Sequence, residues 1–351
     1  MVRNPMQLDI TPLERLLSQA DHITLIGHFN PDGDAIGSVT AAYHYLRACG
    51  KHPRMILPSP YPENMSFMEP DCPEDRIVIY EKEPDKARTL VAEADLLICL
   101  DMNRLSRTEY LEQDILTAKA PRVLIDHHIA VELDRFDVAL STIDVSSTCE
   151  LLFQILMALP EVAGDPARIP LRCAQSLYVG MMTDTNNFSN SVLPGTFEMA
   201  ATLIARGVDK NDLQEKVLSC YSVSRTRLLG HMLKNKMKVL PQYQTAYMIL
   251  SNKEKTRYHF QPGDSEGFVN MPLSISSVQV SALFSENADG QYIRVSLRSK
   301  GCINVNKFAV RFFNGGGHRN ASGGRLYMPI EDVPAYFEQA LAAWTEEEKF
   351  S

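Results

Sequence analysis

The sequence predicts an α/β protein: a doubly wound, mainly parallel sheet followed by a second, smaller mixed α/β domain. Short unbroken apolar runs at residues 96–100 and 123–125 are typical of buried parallel strands. These runs alternate with helical patterns, as in a doubly wound sheet. The chain has 351 residues, more than one compact core usually supports, so we expect two domains.

The first predicted domain spans residues 1–206. Thr11-Pro12 is a good helix start, with Thr11 as the N-cap. A first strand at 23–27 leads into a loop from His28 to Ser38, after which a helix is predicted at 41–49. The remaining predicted strands are 55–57, 77–79, 96–100, 123–125 and 138–140, and the remaining helices are 148–159, 170–182 and 194–206.

A polar helical stretch at 207–238 has no strand partner of its own, so we predict a linker there. The second predicted domain covers 239–351. Its Asn287-Ala288-Asp289-Gly290 stretch has the composition of a hairpin turn. The predicted strands are 244–250, 278–286, 292–298 and 324–328, and the predicted helices are 305–313 and 330–349.

The composition is that of an ordinary globular protein, with 45% hydrophobic and 22% charged residues. The net charge of -8 argues against a protein that coats long duplexes by bulk electrostatics. The 7 cysteines are scattered and odd in number, which fits a reducing cytosol. No signal core or run of membrane-spanning length is found, so we expect a cytoplasmic protein without membrane contact.

Acidic and imidazole side chains follow several predicted strands at their carboxyl ends, where ligands collect in open α/β sheets. A lone Asp at such a place is usually a helix cap or turn former. The recurrence of acidic ends favours a shared site instead. The residues concerned are His28, Asp32, Asp34, Asp101, Asp126, His127, His128 and Asp184.

Carboxylates and imidazoles without thiolates suit Mn²⁺ or Mg²⁺ better than structural zinc. Cations also relieve the repulsion among so many carboxylates. A pair of ions about 3.5–4 Å apart, sharing one carboxylate and one water, fits the number of ligands. Such a pair activates the water for in-line attack on phosphorus. The strand ends therefore predict a metal-dependent phosphoesterase.

The same residues resemble the four ordered motifs of the DHH phosphoesterases. The motifs are His28-x-x-Pro31-Asp32-x-Asp34-Ala35-x-Gly37-Ser38, then Asp101, then Asp126-His127-His128, then Asp184-Thr185. The match spans most of the first two hundred residues. One departure is Asn186, where the family usually has glycine. Asparagine tolerates the left-handed conformation, so we expect the turn to form.

The resemblance implies a role for each motif residue. The first Mn²⁺ would take His28, Asp32 and Asp101, and the second would take Asp34, His127, Asp184 and the bridging Asp101. His128 would lie beside the scissile phosphate. Asp126 would orient an imidazole, as ligating histidines generally require. Mg²⁺ is the alternative ion.

A glycine-rich stretch marks the second domain: Gly315-Gly316-Gly317-His318-x-Asn320-Ala321-Ser322-Gly323-Gly324. Its glycines let backbone N–H groups approach an oxyanion, and His318, Asn320 and Ser322 add donors. For the glycines alone, a flexible hairpin loop is the simpler interpretation. A nearby strand with period two places Arg294, Ser296, Arg298 and Lys300 on one face, which favours a phosphate site.

This second segment resembles the DHHA1 domain, in which the strand arginine and the loop histidine hold the substrate's phosphate or terminal nucleotide. Those positions here are Arg298 and His318. The usual fourth glycine is replaced by Asn314. Type II pyrophosphatases carry a different second domain with an Arg-Lys-Lys cluster, which this chain lacks, so pyrophosphatase activity is disfavoured.

The resemblance is greatest to the compact oligoribonuclease (nanoRNase)/pAp phosphatase group, since exonucleases such as RecJ are longer. It implies hydrolysis of short oligoribonucleotides to nucleoside monophosphates, or of pAp to AMP. The alternatives are a cyclic- or linear-dinucleotide phosphodiesterase, an exopolyphosphatase-like hydrolase and, less favoured, a non-catalytic nucleotide-binding protein. The expected partner is short RNA or a small phosphorylated nucleotide, and the sequence is compatible with a homodimer.

Overall fold

The computed structural model describes residues 8–219 and 221–347. The chain forms two compact units, Met1–Cys220 and Tyr221–Ser351. Among the described residues, no helix has both the length and the apolar character needed to cross a bilayer.

The first unit is built on a six-stranded parallel sheet. Its strands are β1 (His22–Ile26), β2 (His52–Leu57), β3 (Val78–Ile79), β4 (Leu96–Leu100), β5 (Arg122–Asp126) and β6 (Val138–Ser141). They lie in the order β3-β2-β1-β4-β5-β6, and every neighbouring pair is parallel. The reversal of order between β1 and β4 makes a switch point, where ligands of such sheets bind. The predicted doubly wound sheet is confirmed.

Helices cover both faces of this sheet and bury its apolar runs in two clusters. One cluster includes Ile23 and Leu25 of β1, and the other includes Ile26 of the same strand. The helices are α1 (Thr11–Gln19), α2 (Gly33–Ala48), α3 (Pro84–Ala92), α4 (Glu112–Thr117), α5 (Thr148–Ala158), α6 (Leu171–Asp184), α7 (Pro194–Ala205) and α8 (Lys210–Leu218). Thr11 is not the N-cap of α1: Ile10 occupies that position, without a side-chain cap.

Helix α2 begins earlier than predicted, at Gly33 instead of residue 41. Asp32 is its N-cap, because one carboxylate oxygen accepts from the backbone N–H of Asp34 and of Ala35, each at 3.1 Å. Residues 33–38, predicted as part of a loop, thus belong to α2. Both Asp32 and Asp34 therefore lie at a helix start, where the backbone fixes their orientation.

The second unit is built on a mixed six-stranded sheet with the order β11-β12-β10-β9-β8-β7. Only β8 and β9 pair in parallel. Its strands are β7 (Lys238–Leu240), β8 (Thr245–Leu250), β9 (Val280–Glu286), β10 (Ile293–Ser299), β11 (Gly316–Gly317) and β12 (Ala321–Leu326), and its helices are α9 (Val223–His231), α10 (Asn252–Arg257), α11 (Val305–Phe312) and α12 (Val333–Glu347). The predicted second mixed α/β domain is confirmed.

Strand β10 alternates as predicted. Val295 and Leu297 are buried in the unit's aromatic core, while Arg294 is exposed and Arg298 half-buried on the other face. The hairpin after β9 also forms, because the Asn287 N–H donates to the Tyr292 carbonyl at 2.9 Å and Gly290 has φ 68°. Residues 348 and 349 of the predicted last helix lie outside the described residues.

The segment 207–238, predicted as one linker, contributes to both units. Leu213 and Val217 of α8 pack in the core of the first unit. Leu228 of α9 and Met232 pack beneath the sheet of the second unit.

Candidate metal centre

Asp101 lies at the centre of the strand-end cluster. It follows β4, is 1% exposed and has φ 61°, a left-handed conformation that costs free energy in any residue other than glycine. Its Oδ2 lies 3.5 Å from His28 Nε2, and its Oδ1 lies 3.7 Å from His127 Nε2. The strained backbone thus directs one carboxylate between two imidazoles.

His28 and Asp32 form the first side of the cluster. His28 Nδ1 lies 2.8 Å from the Phe29 carbonyl oxygen, so Nδ1 carries the proton and Nε2 presents its lone pair. Nε2 is buried and makes no well-aligned hydrogen bond to any described residue, although Asp32 Oδ1 lies 3.9 Å away. A buried polar atom without a partner is costly. The Nε2 lone pair of His28 could therefore bind a metal ion.

Asp34, His127 and Asp184 form the second side. His127 Nε2 lies 3.9 Å from Asp34 Oδ2 and 3.5 Å from Asp184 Oδ2. Asp34 belongs to α2 and Asp184 ends α6. These helices approach closely because Gly33 has no Cβ, and a Cβ there would lie 2.3 Å from Thr183 Oγ1. After Asp184, Asn186 takes φ 47°, so the turn forms without glycine.

The pKa values of two buried carboxyls, Asp34 and Asp101, move in opposite directions. Burial raises the pKa of Asp34 well above its usual value, and the charges of Asp101, Asp184 and Asp32 raise it further. Burial also acts to raise the pKa of Asp101, but the nearby imidazoles of His28, His128 and His127 outweigh it, so that pKa lies well below its usual value. The cluster thus holds an ionised carboxylate beside one that resists ionisation without a cation.

His128 lies between Asp126 and Arg107. Its Nδ1 is 2.7 Å from Asp126 Oδ1, and its backbone N–H donates to Asp126 Oδ2 at 3.0 Å. Burial lowers the pKa of His128, but Asp126 and Asp101 outweigh this effect and raise it. Asp126 thus contacts the His128 ring through Nδ1 and the His128 backbone through its N–H.

Arg107 was missed by the sequence interpretation. Its Nη1 lies 3.1 Å from His128 Nε2 and donates to the Asp101 carbonyl at 3.2 Å. The sequence feature that could have indicated it is a positively charged residue shortly after β4 and Asp101. Arg107 places a permanent positive charge beside the cluster.

The N-terminus of α5 was also missed. The Thr148 N–H donates to Asp34 Oδ2 at 2.7 Å, the Cys149 N–H donates to Asp34 Oδ1 at 3.0 Å, and the Thr148 hydroxyl donates to Asp101 Oδ1 at 2.9 Å. The start of α5 therefore holds the carboxylates of both Asp34 and Asp101 by hydrogen bonds. The N-terminus of a helix also favours nearby negative charge. The buried Glu150 secures this start by accepting from the Ser146 N–H at 3.0 Å and the Thr196 hydroxyl at 2.7 Å.

The donor set fits divalent cations that prefer oxygen and imidazole ligands. Among the described residues of the first unit, three groups of side chains each bring their ligand atoms within 4.8 Å of one another, and Asp101 belongs to all three. The groups are His28 with Asp32 and Asp101, Asp34 with Asp101 and His127, and Asp101 with Asp126 and His128. The sequence-predicted ligands are thus brought together, with Asp184 beside His127.

The glycine-rich stretch of the second unit packs against its own backbone. A Cβ on Gly315 would lie 1.8 Å from the Gly323 carbonyl oxygen, and a Cβ on Gly324 would lie 2.3 Å from that of Phe313. Gly316 and Gly317 form β11, and Gly317 has φ 136°. These glycines therefore allow β11, β12 and the end of α11 to approach one another.

Two predicted donors of this stretch bond within the second unit. The Asn320 amide donates to Ser299 Oγ and to the Gly301 carbonyl, at 2.9 and 3.1 Å, and the Ser322 hydroxyl donates to the His318 carbonyl at 2.7 Å. Asn320 and Ser322 thus shape the loop that carries His318. Arg298 Nη1 donates to the Leu297 carbonyl at 3.0 Å. The ligand-binding roles of these residues stay predictions.

Comparison with known proteins agrees with this architecture. Residues 22–181 match the DHH family, N-terminal domain, and residues 242–347 match the DHHA1 domain. A solved structure of an exopolyphosphatase-related protein from Bacteroides fragilis is 37% identical, with a TM-score of 0.87 and coverage of 96% of each chain. The chain belongs to the DHH family and is a metal-dependent hydrolase of phosphate esters.

Two relatives differ in their named activities. The bifunctional oligoribonuclease and PAP phosphatase NrnA of Mycoplasma genitalium is 27% identical over 90% of this chain and 91% of its own length. The cyclic-di-AMP phosphodiesterase GdpP of Geobacillus thermodenitrificans is 24% identical over 94% of this chain but only 48% of its own length.

Proposed function

We propose that this protein is a Mn²⁺-dependent phosphoesterase that hydrolyses short oligoribonucleotides to nucleoside monophosphates and pAp to AMP. The observation that carries the proposal is the convergence of His28, Asp34, His127 and the other cluster residues on Asp101, at the switch point of the first sheet. The likeness to the NrnA relative over nearly its whole length supports the substrate class. We place the activity in the cytoplasm.

In this proposal His28, Asp32 and Asp101 hold one ion, and Asp34, His127, Asp184 and the shared Asp101 hold the other. When bound, divalent ions would supply positive charge to the phosphoryl oxygens and would make water acidic enough to act as a nucleophile near neutral pH. The chain's own groups complete the site. Asp126 fixes the ring of His128 through Nδ1, and Arg107 adds a cation that needs no metal.

The second unit binds the substrate's phosphate in this proposal, through Arg298 and His318. Arg298 lies on the polar face of β10. The backbone of His318 is held in a tight turn, because its N–H donates to the Ala321 carbonyl at 2.8 Å. An arginine fork and an imidazole both suit a phosphate with several acceptor oxygens.

A cyclic dinucleotide is the second candidate substrate, because the GdpP relative shares similarity over 94% of this chain. A short polyphosphate is the third, supported by the description of the Bacteroides fragilis structure as exopolyphosphatase-related. Both candidates use the same metal centre and differ only in the substrate that reaches it.

The test is a product assay with Mn²⁺ that offers pAp, a linear RNA dinucleotide, a cyclic dinucleotide and a short polyphosphate in parallel. We expect AMP from pAp and nucleoside monophosphates from the dinucleotide. Hydrolysis of the cyclic dinucleotide or polyphosphate alone would overturn the substrate assignment and keep the metal centre. No hydrolysis of any compound would overturn the proposed function.

A further inference from the structure

Arg294 is an exposed cation on the polar face of β10. It lies on the same face as Arg298, because the side chains of a strand alternate between its two faces, and Val295 and Leu297 point the other way into the aromatic core. Arg294 is exposed, and in the part of the chain that the structure describes no carboxylate lies within salt-bridge distance of it. Its guanidinium is therefore available to a ligand.

Two further cations flank Arg294, one on each neighbouring strand. Arg325 of β12 is directly opposite Arg294 in the antiparallel pair, and its guanidinium packs over the ring of Tyr292 at 4.9 Å. On the side of β9, the Lys255 ammonium donates to the Glu286 carbonyl at the end of that strand. Like charges directly opposite each other on paired strands are destabilising. A bound anion would offset this repulsion.

The charge of Arg294 also reaches Lys255. Burial lowers the pKa of Lys255, and the positive charge of Arg294 lowers it further, against the opposing charge of Glu286. The Glu286 carboxylate accepts from the Asn252 N–H at 2.5 Å, so the start of α10 holds it. The polar end of β10 is thus a local concentration of positive charge in a chain whose net charge is -8.

Arg294 and Arg298 are too far apart to hold one phosphate. Four residues of extended strand span about 13 Å. Strand side chains stand roughly perpendicular to the sheet, so two side chains on one face keep about this spacing. Both arginines can be engaged at once only by a chain that carries more than one phosphate.

We propose that Arg294 binds a second phosphate of the substrate, further along the chain than the phosphate held at Arg298. The ligand is then an oligoribonucleotide longer than a dinucleotide. Lys255 contributes charge to this site without a direct contact, because its ammonium already donates to a backbone carbonyl. The inference rests on the proposed function in taking the chain of phosphates to be RNA.

The test measures the affinity of the full chain for two ligands by calorimetry in the presence of a chelator, which prevents hydrolysis. One ligand is an RNA dinucleotide, which has a single internucleotide phosphate, and the other is an RNA pentanucleotide, which has several. The variants are Arg294→Ala, which removes the charge, and Arg294→Lys, which keeps it. The matched control is Lys307→Ala: Lys307 is an exposed cation of α11, whose Phe308 packs on the apolar side of β10.

We expect Arg294→Ala to bind the pentanucleotide about three- to five-fold more weakly, as for the loss of one exposed ion pair, and to bind the dinucleotide like the wild type. The logarithm of the pentanucleotide association constant should also fall less steeply with the logarithm of salt concentration. The slope should change by about 0.7, the value for one phosphate of a single strand. Arg294→Lys and Lys307→Ala should both behave like the wild type.

An unchanged pentanucleotide affinity and salt slope in Arg294→Ala would overturn the inference. An equal loss for both ligands would also overturn it, because both arginines would then serve one phosphate, and an equal loss in Lys307→Ala would assign the effect to net charge alone. These outcomes do not depend on hydrolysis. Failure of the proposed function appears instead as absence of product in the assay described above. Circular dichroism confirms that each variant is folded.

Discussion

Asp101 is the residue through which the cluster is connected. Its carboxylate faces His28 and His127 on two sides and accepts a hydrogen bond from Thr148 on a third. Its left-handed backbone and near-complete burial would both be costs in a residue with only a structural role. The proposed role of a shared metal ligand would explain both the position and the strain.

Replacing Asp101 with asparagine keeps the side-chain volume and removes the charge. We expect Asp101→Asn to abolish turnover, because the carboxylate common to both ion sites is lost. The control is Asp134→Asn, whose side chain is 81% exposed and which should retain wild-type activity. Near-normal hydrolysis by Asp101→Asn would refute the shared-ligand assignment.

Arg107 should matter for the chemical step. Replacing it with alanine removes the cation beside His128, so we expect kcat to fall by about 10–100-fold, the usual effect of losing a group that supports a metal site. Steady-state kinetics measure this effect, and Arg107→Lys should recover only part of it because lysine lacks the planar fork. An unchanged kcat in Arg107→Ala would show that the contact with His128 is incidental.

At the scale of residues, the sequence indicated the acidic and imidazole residues of the cluster but not the residues that support them. His28, Asp101 and His127 were recognisable because each comes just after an apolar strand. Arg107 and Thr148 were missed because a lone arginine in a loop and a threonine at a helix start have ordinary structural uses. Their placement depends on pairing across the sheet, which local sequence does not encode.

At the scale of elements, the start of α5 supports two carboxylates at once. Thr148→Val keeps the shape of the side chain and removes the hydroxyl that donates to Asp101. We expect Mn²⁺ affinity to fall by about 10–100-fold, and Thr148→Ser to restore most of it. Calorimetric titration with Mn²⁺ measures the effect without turnover.

A buried hydroxyl away from the cluster provides the matched control. Thr40 is 0% exposed and donates to the Ile36 carbonyl at 2.7 Å within α2. Thr40→Val should leave Mn²⁺ affinity unchanged. If both valine variants weaken Mn²⁺ binding equally, the role assigned to Thr148 is wrong.

The glycines of the second unit provide a stability prediction. Gly324→Ala should lower the free energy of unfolding by about 1–3 kcal/mol, because its Cβ would lie 2.3 Å from the Phe313 carbonyl oxygen. Gly230 in α9 is the control, since a Cβ there meets no atom within 4 Å. Gly230→Ala should stabilise the helix by about 0.5–1 kcal/mol. Urea unfolding compares the two, and equal effects would contradict the packing argument.

Elements with a clear hydrophobic pattern in the sequence were predictable. Elements whose formation depends on tertiary contacts were not. The apolar runs of β4 and β5 and the alternation of β10 are visible in the sequence. The early start of α2 was not, because Asp32 is common in turns as well as in helix caps. The two-residue strand β11 has no pattern of its own and exists only through pairing with β12.

At the scale of the whole molecule, cations should stabilise a chain that carries a net charge of -8 and concentrates buried carboxylates in its first unit. At a free Mn²⁺ concentration about 100 times Kd, binding contributes roughly 2.7 kcal/mol. For a unit of this size that corresponds to a rise in unfolding temperature of roughly 5–10 °C. Calorimetry with Mn²⁺ and with chelator measures it, and no difference would contradict the metal centre.

The number of Mn²⁺ ions bound per chain, measured by equilibrium dialysis, tests the central claim most directly. The account predicts two ions in the wild type. His28→Gln and Asp34→Asn should each lose a different one, so each variant should hold a single ion, and Asp101→Asn should hold none tightly. A single ion in the wild type, or two ions retained in both His28→Gln and Asp34→Asn, would contradict the account.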